Sequence, residues 1–509
     1  VITAKQPNRP VHFLALIAVT VLIRIPFLKS FDLVTYDGTY YINIARSIVA
    51  GSYRSSVFPI GYPVFIAAFI PLIGDGVRAA QAVSLLAGAG SLLVFYFLCL
   101  EFVKRSHALI ASFIFASTPL FIRLSTTTLS ESIYVFWVLA GLLLFARRKE
   151  LPAGLGMGMA AITRPEALGI IGVLSVLRLT APKRLLVLLV GFLIPYSVNV
   201  AVQSTAADRL VLIPKTKLFG TSAVSWKLHE PTLEFESKDR LLEKIETDGR
   251  DGGILGDYAA RLPNDLFMLA RHATPLIVLL ALYAIFRKRS FVLAMFAPLP
   301  FFPLFTFRGE PRFVYPYIPG LILYAAIGLH TVGNRLARLI LTIALCISAA
   351  AGIFINRDQL TRPVSDGFQW AREIGRTFRE RIAPGDRIAD RKPLFAFYAG
   401  GEYFEIPVAP IDRTLAYLAS NNVKYLVLHG ATIRMMRPQL LPMTYDPMFV
   451  RSELRYSPVF TGREVVIFEK RLDSDPLTRT RLTPPSEEIL YSPRWSPDGT
   501  MIAVRTVSS

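Results

Sequence analysis

Over its first 356 positions the chain alternates long, almost uncharged apolar stretches with short polar gaps. A stretch of about 20 such residues crosses a bilayer as a helix. The pattern predicts spans at 11–27 (interrupted by Arg24 and Pro26), 79–100, 108–122, 132–146, 151–163, 167–177, 185–207, 273–286, 290–307, 313–334 and 339–356. The short pair at 151–163 and 167–177 reads equally well as a re-entrant hairpin, which leaves the sidedness downstream unchanged. No small-residue cleavage site follows the first run, so it is read as an uncleaved first helix. The expected fold class is a polytopic α-helical membrane protein with about eleven transmembrane helices. Beyond 356 the pattern changes. GFQWAREIGRTFRERI and TLAYLASNN read as helices, and DRIAD, LFAFYAG, VKYLVLHG and EVVIFEK read as strands. Residues 357–472 are therefore expected to form a small C-terminal α/β domain.

Composition agrees with the pattern. Hydrophobic residues make up 53% and charged residues 18% of the chain, and the mean hydropathy is +0.45. This is too apolar for an ordinary soluble enzyme and the opposite of a disordered chain. The net charge of +19 would suggest nucleic acid in a soluble protein, but its location excludes that partner. Residues 1–356 carry a net +15 and residues 357–509 only +4. The excess sits in the short gaps: Lys5 and Arg9, Lys104 and Arg105, Arg147 to Lys149, Arg178 with Lys183 and Arg184, Arg287 to Arg289, and Arg335 with Arg338. With the spans above, every cluster falls on one side, and basic short loops mark the cytoplasm. The N-terminus is then cytoplasmic. The opposite, periplasmic side of a bacterial inner membrane carries the loops 29–76 and 208–272 and everything after 356.

Candidate chemistry gathers on that outer side. Residues 40–48 predict a short amphipathic helix, with Tyr41, Ile44, Ala45 and Ile48 on one face and Tyr40 at its start. Asp37, just before it, is placed as an N-cap or as a carboxylate facing a cavity. Residues 58–73 are uncharged but carry Pro59, Gly61, Pro63 and Pro71, and read as an interfacial or re-entrant piece. Glu131 opens the span at 132–146, where a helix dipole would favour it. The turn ITRPEAL holds Arg164 and Glu166, either as a simple ion pair or as a guanidinium for a phosphate at headgroup level. In FRGEPRFVYPYIPG, Arg308, Glu310 and Arg312 stand between two spans, with Tyr315 after them. Snorkelling cations and interfacial tyrosines are the plainer reading of that segment.

No GxxxxGK[ST], HExxH, GxSxG or CxxC motif occurs. The six histidines show no metal-ligand spacing. Cys99 and Cys346, both within apolar runs, supply neither a disulfide framework nor a cluster.

In their order and common sidedness, YDGTYYINIARSI, FPIGYPVFIA, SESIYVFWVLAGLLLFAR, AAITRPEALGII and EPRFVYPYIPGLILYAA carry a resemblance. Over roughly residues 11–470 the chain resembles the GT-C superfamily of polytopic glycosyltransferases that use polyprenyl-phosphate sugars. It is most similar to the protein O-mannosyltransferase and aminoarabinose-transferase branch. The resemblance implies a GT-C-like catalytic domain at 1–356. It implies transfer of a sugar from a polyprenyl-phosphate donor to a lipid, glycan or protein acceptor, with inversion. Asp37 matches the family's first-loop acid and would act as general base; the second acid of that pair is Gly38 here. Arg164, Arg308, Arg312 and Arg54 would meet the departing phosphate, and Glu131, Glu166, Glu310, Tyr40 and Tyr315 would support them. Some relatives hold a divalent metal ion near the first-loop carboxylate, and this sequence offers no ligand set for one.

Residues 473–509 contain YSPRWSPDGTMIAVRTV, a strand–turn–strand signal that resembles one repeat of a TolB-like propeller. One hairpin cannot close a propeller, so the tail is expected to be a fragment of a longer fusion or to pair elsewhere. The rival functional classes are a flippase or exporter of lipid-linked sugars and a non-catalytic partner in envelope glycan assembly. Against transport, no internal repeat with broken spans in matching halves is evident.

Overall fold

A computed structural model describes residues 18, 20–27, 34–53, 58–208, 210–213, 262–263, 266–287, 290–299, 311–361, 368–407, 409, 411–445, 456–462, 465–470, 494–495 and 502–503. They fall into two compact units, one holding the described residues through 361 and the other those from 368 onward.

The first unit is helical. Its helices are α1 (Tyr36–Val49), α2 (Gly61–Ile73), α3 (Gly76–Leu100), α4 (Arg105–Ser117), α5 (Pro119–Leu124), α6 (Glu131–Ala146), α7 (Glu150–Thr163), α8 (Ala167–Val176), α9 (Pro182–Ala207), α10 (Pro275–Arg287), α11 (Ile318–Thr331) and α12 (Arg335–Ile355). Among the described residues, four helical stretches are long and apolar enough to cross a membrane: α3, α9, Arg312–Thr331 and α12. A fifth arises if 266–273 and α10, bent by 108° at Thr274, count as one. The remaining predicted spans are shorter or broken for visible reasons. The run at 108–122 is cut at Thr118, held extended by Pro119. The α6 helix has 16 residues, about 24 Å of rise against a hydrocarbon core of about 30 Å. Within 290–307 the described portion includes a 3-10 turn, Phe291–Phe296. The segment at 58–73 forms a 13-residue helix, α2, ended by Gly74 in the left-handed conformation.

Burial separates the helices by role. In Arg312–Thr331, 83% of the apolar window is buried, so it is the axis of the bundle, packed against Phe121, α4 and α10. In α12 the figure is 11%, and Leu336, Leu339, Ile340, Ile343 and Ile347 point outward, as a lipid-facing helix must. The α9 helix behaves likewise except where it packs on α7. Gly154 and Gly158 there meet the α9 backbone so closely that a Cβ would lie within 2.1 Å and 2.4 Å of it and of Pro195.

The second unit is built on a five-stranded mixed sheet in the order β2-β1-β3-β5-β4, with β1 Arg387–Asp390, β2 Glu402–Glu405, β3 Val423–His429, β4 Tyr456–Thr461 and β5 Val465–Lys470. Strands β1, β2 and β3 are parallel, whereas β5 runs antiparallel to β3 and β4. Helices Gln369–Phe378 and Ile411–Ser420 form where the sequence predicts them. LFAFYAG does not form a strand: Leu394–Ala399 is a helix, opened after Pro393 and closed by Gly400 at φ 83°. Six consecutive apolar residues carry no period, and the flanking proline and glycine are helix punctuation. Near the end, Arg494–Trp495 pairs antiparallel with Ile502–Ala503, the register of the predicted hairpin.

Candidate active site

The site begins with how α1 starts. Thr35, not Asp37, is the N-cap: its Oγ1 accepts from the Gly38 backbone N–H at 2.9 Å. Asp37 is the second residue of the helix, in its first turn, near the positive end of the helix dipole. Position 38 has no room for a side chain. A Cβ there would meet Thr128 Oγ1 at 2.2 Å and the Thr128 carbonyl at 2.8 Å. The second acid that the family resemblance expects is thus excluded by the close approach of α1 to the strand-like turn before α6. Thr35 and Thr128 seal that approach through paired hydroxyls at 3.2 Å.

Asp37 binds Arg312, 275 positions along the chain, through Oδ2 and Nη1 at 2.5 Å. Both side chains are about one-fifth exposed, at 19% and 23%, so the pair is reachable from outside. The second cation, Arg164, is more deeply buried, at 7%. It caps α7, and Pro165 forces it to extended backbone, which turns its side chain back over the bundle. Nη1 donates to Glu131 Oε1 at 2.8 Å, and Nη2 and Nε donate to Glu166 Oε1 at 2.9 and 3.2 Å. Glu131 is 1% exposed, and its second oxygen makes no hydrogen bond. The Phe313 ring lies between the two ion pairs, 5.6 Å from the Arg164 guanidinium carbon and 5.0 Å from that of Arg312.

Aromatic residues floor the site. Tyr40 stacks on Phe58 at 4.8 Å and meets Tyr36 edge-on at 5.4 Å. Tyr41, buried, reaches Ser130 Oγ at 3.2 Å and packs edge-on against Phe58 and Tyr62. Tyr315 is not interfacial. It is fully buried and stacks over Phe121, because the 3-10 turn Tyr315–Tyr317 rolls it into the core.

The structure thus gathers Asp37, Arg312, Arg164, Glu131, Glu166 and Tyr40 at one end of the bundle, with Tyr315 in the core behind. Arg54, Arg308 and Glu310 lie outside the described residues. Arg24 was not singled out in the sequence as a site residue, although an arginine inside an apolar run is the signal for one. It is fully buried, with Nε on Ser125 Oγ at 2.6 Å, Nη1 on the Thr20 carbonyl at 2.9 Å, and its guanidinium 4.3 Å over Phe121. Phe121 therefore separates Arg24 from Tyr315 as Phe313 separates Arg164 from Arg312. Among the described residues no three His, Cys, Asp or Glu side chains gather as a metal site. Asp37 faces a cation, and Glu131 and Glu166 both turn to Arg164, so the described residues do not fit a divalent ion at the first-loop carboxylate.

No protein-family model matches the chain, and no curated protein does. Solved structures do. ArnT from Cupriavidus metallidurans bound to undecaprenyl phosphate matches with a TM-score of 0.59 at 14% identity, over 89% of this chain and 97% of that one. Its apo state gives 0.60 at 15% over the same shares. The archaeal oligosaccharyltransferase AglB from Archaeoglobus fulgidus, in complex with an inhibitory peptide and a dolichol-phosphate, gives 0.51 at 14%, over 92% of this chain and 74% of that one. At these identities the likeness is one of fold. The chain is a multi-pass membrane protein that shares the fold of these structures and carries a small C-terminal mixed-sheet domain.

Proposed function

We propose that this protein is a membrane glycosyltransferase that moves a sugar from a polyprenyl-phosphate donor to a lipid, glycan or protein acceptor at the periplasmic face, with inversion. The observation that carries the reading is the Asp37–Arg312 pair. It is a reachable carboxylate and a reachable guanidinium in contact, set against a buried cation already neutralised by two acids.

Asp37 is the base. The dipole of α1 and the Arg312 guanidinium keep it ionised, and it takes the proton of the acceptor hydroxyl as that oxygen attacks the anomeric carbon. The bond from that carbon to the phosphate oxygen breaks, and the charge that develops there needs a fixed cation in a water-poor site. Arg312 is that cation, since its side chain is partly exposed whereas Arg164 has both edges of its guanidinium engaged by carboxylates. Arg164, with Glu131 and Glu166, is then the brace that fixes the α6, α7 and α8 ends around the site. Tyr40 and Phe58 present a stacked aromatic wall for the donor sugar or lipid.

The test is sugar transfer in proteoliposomes with a labelled polyprenyl-phosphate donor. For Asp37→Asn the rate should fall by about 10²–10⁴, the range for loss of a positioned base, with donor binding retained. Transfer at near the parent rate would remove Asp37 from the chemistry. Movement of lipid-linked sugar across the bilayer with no new glycosidic bond would replace the transferase reading with a flippase.

A further inference from the structure

The helices that hold Glu131 and the Arg164 corner at one end border a second feature at the other. Past the C-terminal ends of α6 and α8, beside the 3-10 turn Phe291–Phe296, lies a cavity of about 640 Å³. It is about 24 Å along α6 from Glu131, taking 1.5 Å of rise per residue. Phe145, Val173, Leu177 and Phe291 line it, and Arg148 and Arg178 stand in its wall. Its size falls in the range of about 300–1,000 Å³ that holds small organic ligands, and it is far larger than one phosphate needs.

The two arginines are built for an anion. Arg178 spends only its Nε, on Glu150 Oε1 at 3.0 Å, and its guanidinium carbon lies 3.8 Å from the centre of the Phe145 ring. That leaves Nη1 and Nη2 without hydrogen bonds among the described residues. Arg148 closes α6 in the left-handed conformation, φ 57°, where a side chain is costly. Its backbone N–H is tied to the Phe145 carbonyl at 3.1 Å, and its exposed guanidinium makes no hydrogen bond or ion pair among the described residues. Lys149 caps the start of α7, Lys183 and Arg184 open α9, and Arg287 closes α10. An apolar chamber with two forked donors at its wall, in a basic rim at the end of a membrane bundle, has the chemistry of a lipid headgroup site.

We propose that this cavity binds an anionic phospholipid from the basic-side leaflet. The phosphate sits between Arg148 and Arg178, and an acyl chain lies along Phe145, Val173, Leu177 and Phe291. The site stands apart from the donor site and does not depend on the transferase reading.

The test uses the purified full-length chain in maltoside micelles and a fluorescent short-chain phosphatidylglycerol, read by anisotropy. Saturable binding is expected, weakened about tenfold in Arg148→Gln, the loss of one charge-assisted contact. Arg148 is exposed and makes no side-chain hydrogen bond or ion pair among the described residues, so this variant should leave the fold intact. Arg178→Gln should weaken binding as much, but it also strips the buried Glu150 of its cation, so Arg148→Gln decides. Short-chain phosphatidylcholine should compete at least about tenfold less well. Unchanged affinity in Arg148→Gln, or equal competition by phosphatidylcholine, would overturn the proposal. Displacement of the probe by inorganic phosphate as effectively as by unlabelled phosphatidylglycerol would overturn it too, by showing a soluble-anion site.

Discussion

Replacing Arg164 by Gln tests the brace behind the proposed site. The change strips two carboxylates of their cation. Glu131 is 1% exposed and Glu166 18%, so the burden falls mostly on Glu131, whose second oxygen already lacks a hydrogen bond. Breaking one side of a buried ion pair costs about 3–5 kcal/mol, because the remaining charge is stranded. Glu131→Gln is milder, at about 1–3 kcal/mol, since Arg164 keeps Glu166 and the amide can still accept its hydrogen bond. The double variant removes the stranded charge, so its loss should fall short of the summed single losses by about 2 kcal/mol. Equilibrium unfolding in mixed micelles, followed by tryptophan fluorescence, measures this directly, and Trp137 on α6 is a local reporter. Strict additivity, within about 0.5 kcal/mol, would mean that Arg164 does not neutralise Glu131. A larger loss in Glu166→Gln than in Glu131→Gln would put the burden on the wrong carboxylate.

In the C-terminal domain, burial pushes the Asp390 carboxyl up from 3.8 to about 7, against the pull of the Lys392 and Arg391 backbone N–H groups. The folded state then holds its proton more tightly than the unfolded one. The stability this provides is complete below pH 3.8 and is lost as pH rises to about 7, a change of about 4 kcal/mol at 1.36 kcal/mol per unit. The protection of β1 and β3 amides against hydrogen exchange, relative to their intrinsic rates, should fall across that window in the intact chain and stay level in Asp390→Asn, whereas protection that is flat or rising in the parent would refute it. Gly38→Ala should destabilise by about 1–3 kcal/mol through overpacking against Thr128, with sugar transfer falling alongside as Asp37 shifts from Arg312. A variant as stable and as active as the parent would show that the α1 approach is loose.

The membrane class, the two C-terminal helices Gln369–Phe378 and Ile411–Ser420, and the strands β1, β3 and β5 were legible because period and punctuation are local properties. Asp37, Arg164, Glu131 and Glu166 were legible as charges at helix ends. Which carboxylate meets which guanidinium was not. Asp37 and Arg312 are joined only by the packing of α1 against the segment before α11, and nothing in the spacing of either encodes it. Thr35 rather than Asp37 takes the cap because the hydroxyl also serves Thr128, a tertiary contact that capping rules do not see. The helix at Leu394–Ala399 was misread because an unbroken apolar run has no period, and the edge strands β2 and β4 were missed because each is short and half-polar.

The pairing of Asp37 with a residue 275 positions downstream also fixes when the proposed site can be complete. Synthesis releases α1 into the membrane long before Arg312 leaves the ribosome. Until the segment that carries Arg312 is made, the Asp37 carboxylate lacks the guanidinium it meets in the fold. Under the transferase reading proposed above, a half-made chain is chemically silent, and competence arrives only once the segment carrying Arg312 is in place.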